Sequence, residues 1–198
     1  MARTDALTPG PEATAGDART RILAGAYDLF SRNGIRAVGI DAIIARSGVA
    51  RMTLYRHFAS KEELVLAYLE LREERWTRGW LQEEVEARAE DPAERLLAVF
   101  DVFDPWFRRD DFEGCAFIRV MLESIDGEDA VRAASTASLT RIRGFLEALA
   151  RDAGVADPDD FARKWHILMK GSIVAAGEGD ADAARRAQEL GRLLLAQG

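Results

Sequence analysis

The chain has 198 residues, 48% apolar and 31% charged, with a formal net charge of −7. That composition is globular and allows one full core, or a small domain joined to a larger one. A single cysteine, Cys115, excludes an internal disulfide framework and any cysteine-rich metal site, and the longest uncharged run, Ala133–Thr140, is too short to span a membrane.

The charge is unevenly spread. Between Asp17 and Lys61 there are eight basic residues (Arg19, Arg21, Arg32, Arg36, Arg46, Arg51, Arg56, Lys61) against three acids (Asp17, Asp28, Asp41). This segment is therefore +5, and the remainder carries −12. A basic head on an acidic chain is an electrostatic footprint for a polyanion, although short basic segments are often only solvated helix faces.

In chain order, residues 1–16 lack an apolar signal-peptide core. Their Pro, Gly, Ala and Thr content predicts a loose tail. Ile22, Leu23, Ala26, Leu29 and Phe30 mark a first helix, ended at Asn33-Gly34 with Gly34 suited to a left-handed cap. Ile40, Ile43 and Ile44 predict a short helix over 40–47, broken at Ser47-Gly48. A third short helix is expected from Arg51 to His57. Lys61 then opens a long amphipathic helix to about Ala89, roughly 45 Å at 1.5 Å per residue. Asp91-Pro92 starts the next, with Leu96, Phe100, Phe103 and Phe107 as its stripe; Pro105 is expected to kink or end it. Further helices are expected at about 113–125 (Ile118, Met121, Leu122, Ile125), 128–152, from Asp157-Pro158, and 181–196, with a turn at Gly177–Asp180. The reading is all-α, about nine helices, with no strand and no repeat.

Residues 47–64, "SGVARMTLYRHFASKEEL", carry the chemistry. Two short helices joined by a tight turn at Gly48 form a helix-turn-helix. Ile43 and Ile44 can face Val49, Leu54 and Phe58, with Ile22, Ala26 and Phe30 closing a three-helix core. Arg51, Met52, Thr53, Tyr55, Arg56 and His57 are left outside. Aromatic and basic side chains together on an exposed short helix suit a DNA major groove, where hydroxyls and amides reach phosphates and long side chains reach base edges.

With "RILAGAYDLF…NG" and "IDAIIARSGVARMTLYRHFASKEEL", residues 19–64 resemble the DNA-binding domain of the TetR family of bacterial transcriptional repressors. The resemblance implies a DNA-binding domain over 17–60 and a helical ligand-binding and dimerisation domain over 61–198. It implies that Thr53, Tyr55, His57 and Lys61 contact phosphates, that Arg51 and Met52 face bases, and that Leu54 and Phe58 are core. Arg56 joins the same basic surface. An arginine can bond a guanine edge bidentately, and Met52 can touch a thymine methyl or simply fill a gap. Gly39 and Ala50 stand where the family usually has hydroxyl-bearing caps, and Met52 where it usually has glycine. The operator sequence therefore cannot be carried over from relatives.

By the same resemblance, an apolar effector pocket is expected among the helices over 61–152. Trp76, Phe103, Trp106, Phe107, Cys115, Phe117 and Met121 are its candidate lining, although aromatics at helical spacing are ordinarily core. Cys115 also reads as a small buried apolar residue. His166 reads as a core or interface histidine rather than a metal ligand, and no cofactor or metal is expected. The last two helices, roughly 157–196, combine small residues (Gly171, Ser172, Ala175, Ala176) with leucines (Leu190, Leu193, Leu194). The resemblance implies that they pair with a second copy, the alternative being packing within one chain. The expected function is a cytoplasmic, dimeric regulator, most simply a repressor, that binds a palindromic operator in double-stranded DNA and is released by a small, largely apolar molecule. An all-helical interaction protein and an enzyme are the alternatives; no nucleophile elbow, HExxH or phosphate-binding glycine loop favours an enzyme.

Overall fold

A computed structural model describes residues 17–124 and 130–197 of the chain. The described residues form nine continuous helices and no strand. They are α1 (Ala18–Ala37), α2 (Ile40–Ser47), α3 (Arg51–His57), α4, α5 (Pro92–Phe107), α6 (Ala116–Glu123), α7 (Ala130–Asp152), α8 (Pro158–Gly177) and α9 (Ala183–Leu195). Helix α4 is continuous through three segments: Lys61–Arg72, a π-helical stretch Glu73–Gln82, and Glu83–Arg88. The all-α expectation therefore holds. The expected tail 1–16, Ile125, residues 128 and 129 of the seventh helix, and Gly198 lie outside the described residues.

Short polar residues start several helices, as the sequence suggests. Asp17, Ser60, Asp91 and Asp157 each accept a backbone N–H in the first turn of α1, α4, α5 and α8. One expectation about a break needs correction. Gly34 does not end α1 with a left-handed cap: it sits at φ 80, ψ 166, a kink beyond which α1 resumes to Ala37. Its φ is positive as expected, but its ψ is extended. Pro105, expected to kink or end α5, lies two residues before its last residue, Phe107. So close to the C-terminus, proline's missing N–H costs one helical bond and the helix stops within a turn anyway.

The helices pack as two compact units. Among the described residues the first draws on 17–79, 116–124 and 130–138, the second on 80–115 and 139–197. The start of α4 and all of α6 belong to the first unit. Leu64, Val65, Tyr68 and Leu69 of α4 are buried. Tyr68 meets Tyr27 and Phe30 edge-on at 5.5 Å each.

In the first unit Ile22, Ala26, Phe30, Ile43, Val49, Leu54 and Phe58 are buried together, as expected, whereas Ile44 is only half-buried. Buried Arg72 donates to the Tyr27 hydroxyl at 2.9 Å, and Ser138 donates to the buried Glu73 carboxylate at 3.1 Å. In the second unit Trp165 stacks on Phe161 at 5.3 Å and lies 5.5 Å from Phe100. Gly191 of α9 leaves room for the Trp165 ring: a Cβ there would lie 2.7 Å from it. Cys115, expected buried, is only half-buried after Gly114, whose φ is 75.

Candidate nucleic-acid interface

Helices α2 and α3 are joined at Gly48, which takes φ 64, ψ 30, a left-handed conformation that costs glycine little. Its N–H closes on the Ile44 carbonyl at 3.0 Å, and Ser47 donates to the Ile43 carbonyl at 2.7 Å. The Gly39 and Ala50 caps contribute no side-chain hydrogen bond, as their chemistry requires. Helix α3 is pinned from beneath by fully buried Leu54 and by Phe58, over whose ring the Arg19 guanidinium lies at 5.2 Å.

With Leu54 and Phe58 inward, helical geometry turns Arg51, Met52, Tyr55 and Arg56 outward. All four are exposed; Met52 is 80% exposed and Tyr55 41%. Thr53, His57 and Lys61 are half-buried at the edge of the same surface. All seven residues singled out in the sequence therefore sit on or beside one short helix.

Lys61 opens α4 behind Ser60, which accepts from the Glu63 N–H at 3.1 Å, while the Glu63 carboxylate accepts from the Ala59 N–H at 2.7 Å. Burial pushes the Lys61 ammonium below its usual pKa, and the nearby Glu123 carboxylate partly offsets this. Two of the three acids already counted in the head's formal +5 are paired with its arginines. Asp28, almost buried, binds both Arg32 (2.9 Å) and Arg46 (3.0 Å), and Arg51 pairs with Asp41.

Two features escape sequence reasoning. One is Asp41 beside Arg51. The other is the hold of α6 on the corner leading into α2. Arg119 donates to the Ser31 carbonyl at 2.7 Å, and Glu123 accepts the Arg36 N–H at 2.9 Å. No local pattern links residues nearly ninety positions apart, so only the fold reveals them.

The seven residues expected to line an effector pocket divide between the two units. Trp76, Phe117 and Met121 lie in the first, and Phe103, Trp106, Phe107 and Cys115 in the second. Trp76, Phe103, Trp106 and Phe117 are buried. Trp106 meets Trp80, Phe103, Phe107 and Phe112 at 4.9–5.7 Å, an aromatic cluster within the second unit. A cavity of about 380 Å³ opens elsewhere, lined by Phe100, Asp101, Asp104, Arg108, Asp182 and neighbouring residues of α9. None of the seven borders it. His166 is buried, as a core histidine should be, and desolvation aided by Lys170 and Arg143 lowers its pKa to about 4. Among the described residues no group of three or more acidic, histidine or cysteine side chains could hold a metal, and no helix is long and apolar enough to cross a membrane.

Comparison with known proteins agrees with this geometry. Residues 22–68 match the model of bacterial regulatory proteins of the tetR family, and residues 92–190 match the tetracyclin repressor-like C-terminal domain. The chain is 33% identical over 188 residues to the uncharacterised HTH-type transcriptional regulator Rv1255c of Mycobacterium tuberculosis, covering 92% of this chain and 86% of that protein. It is 35% identical over 107 residues to the HTH-type transcriptional regulator UidR of Escherichia coli. That match covers 54% of this chain but spans only 40% of UidR. Among solved structures, SCO4454, a TetR-family transcriptional regulator from Streptomyces coelicolor, superimposes with a TM-score of 0.80 at 28% identity, covering 91% of this chain and 95% of that one.

Proposed function

The chain belongs to the tetR family of bacterial regulatory proteins and is a helix-turn-helix transcriptional regulator; from that premise we propose that it acts as a dimeric, ligand-released repressor. The observation that carries the DNA contact is the outward face of α3. There Arg51, Met52, Tyr55 and Arg56 stand exposed over a rigid base of Leu54 and Phe58. Arg51 and Met52 face base edges; Thr53, Tyr55, His57 and Lys61 hold phosphates, with Arg56 adding charge.

Dimerisation is supported by α8 and α9. Ile167 and Val174 on α8, and Leu190 and Leu193 on α9, are each more than half exposed, with the exposed Gly171 between the first two. An isologous pairing of these faces gives the two-fold symmetry that a palindromic operator requires, with recognition helices about 34–36 Å apart. The effector proposed is a small molecule with a largely apolar body. Its release of DNA needs a coupling of only about 1–3 kcal/mol between the two binding events.

Selection of genomic fragments by the purified full chain, followed by gel shift across a salt series, tests the reading. A reproducible inverted-repeat motif and steep salt dependence are expected. No enrichment of any duplex at low salt overturns it.

A further inference from the structure

Between Ile40 and Lys61 the chain carries four fixed positive charges (Arg46, Arg51, Arg56, Lys61) and one acid, Asp41. A carboxylate on a surface that approaches a polyanion repels every nearby phosphate. Its placement therefore calls for a compensating role. Asp41 lies in the first turn of α2 and Arg51 is the first residue of α3. The Arg51 Nη2 donates to Asp41 Oδ1 across the turn, with side chains 56% and 82% exposed. An ion pair this open to water adds little or nothing to stability, so stability does not explain it.

We propose that Asp41 is a specificity-determining residue: it orients the Arg51 guanidinium so that this residue reads one base pair. This rests on the base-reading role proposed for Arg51 above. A guanidinium carries five N–H donors in a planar fork. One is committed to Asp41, and the remainder are available to the two acceptors that a guanine presents in the major groove. An arginine free to rotate would lose rotamer freedom on every encounter and would bond a phosphate as readily as a base edge. Tethered to Asp41, it keeps one edge aimed, and the carboxylate keeps it off the phosphates. Asp41 thus costs affinity for DNA in general and raises the preference for one sequence. A plainer role exists: an acid in the first turn of α2 interacts favourably with the helix dipole, where the Gly39 cap offers no side-chain bond. That role predicts a change in stability and none in sequence preference.

The test is selection from a random duplex library with the full chain as wild type, Arg51→Ala, Asp41→Ala, Asp41→Asn and Arg51→Ala/Asp41→Ala, with a thermal unfolding curve for each. Asp41→Ala is expected to lose about fivefold or more of its preference at the same base pair as Arg51→Ala. Its affinity for unselected DNA should rise, and the double variant should match Arg51→Ala alone in sequence preference. Asp41→Asn, which keeps an acceptor, should fall between. The inference is overturned if Arg51→Ala relaxes the motif and Asp41→Ala does not, if Asp41→Ala alters a different base pair, or if it weakens all sequences equally alongside a lower melting temperature. An unchanged motif with Arg51→Ala instead removes the base-reading role itself, and this inference with it.

Discussion

Substituting Gly34 by alanine perturbs the corner that leads from α1 into the helix-turn-helix. Gly34 takes φ 80, ψ 166, a region essentially reserved for glycine, and holding an alanine there costs about 1–3 kcal/mol. The new Cβ would also collide with the Glu123 carboxylate, lying 2.9 Å from its Cδ. That side chain is flexible, but it accepts the Arg36 N–H at 2.9 Å, so moving aside forfeits a hydrogen bond worth about 1 kcal/mol. The reduced freedom of the unfolded chain returns about 0.4–1 kcal/mol. The net expectation is a loss of about 1–3.5 kcal/mol, sizeable against a typical total of about 5–15. Urea unfolding at fixed protein concentration reads this as a shift in midpoint. Glu123→Ala alone should cost about 1 kcal/mol. Because the alanine then has no carboxylate to displace, the double variant should fall short of additivity by about that amount. A Gly34→Ala chain within about 0.5 kcal/mol of the parent, or strictly additive costs, would refute the geometry.

Tyr55→Phe should weaken binding to all DNA sequences about fivefold by removing one phosphate hydrogen bond, and Lys61→Ala should also flatten the salt slope by about one; unchanged titrations in both remove the phosphate assignment. Ile167→Asp or Leu193→Asp should shift the chain to monomer in sedimentation and abolish cooperative binding to a palindromic site; a variant that remains dimeric places the interface elsewhere. His166 is held neutral, its folded pKa lowered from the usual 6.5 to about 4. Between those values the unfolded chain binds a proton that the folded chain does not, so stability falls as pH drops through that window, by about 3 kcal/mol in all. His166→Gln should flatten that segment of the stability curve. Gly191→Ala gains about 1 kcal/mol of helix propensity but forces a Cβ to 2.7 Å from the fully buried Trp165, at about 1–3 kcal/mol, so a net loss in unfolding free energy is expected and a gain would show that the ring can move.

The sequence by itself determined the helical class, most helix ends and the outward face of α3. Each of these is local. The 3.6-residue spacing of Leu54 and Phe58 dictates which of their neighbours must face water, and Asp91-Pro92 or Ser60-Lys61 starts a helix through groups a few residues apart. Local signals also misled. Gly34 was legible as a break but not as a kink that α1 crosses, since its ψ is set by what packs on the corner. Pro105 reads as a kink or helix end, and α5 runs only two residues past it, to Phe107.

Only the tertiary structure decided what depends on residues distant in the chain. Asp28 takes up Arg46 of α2, Asp41 engages Arg51, and Arg119 and Glu123 of α6 hold the α1 corner from nearly ninety residues away. Periodicity records which side of a helix is apolar and is silent on its neighbour, so neither these pairings nor the division of the aromatic residues between two packing units has a signature along the sequence.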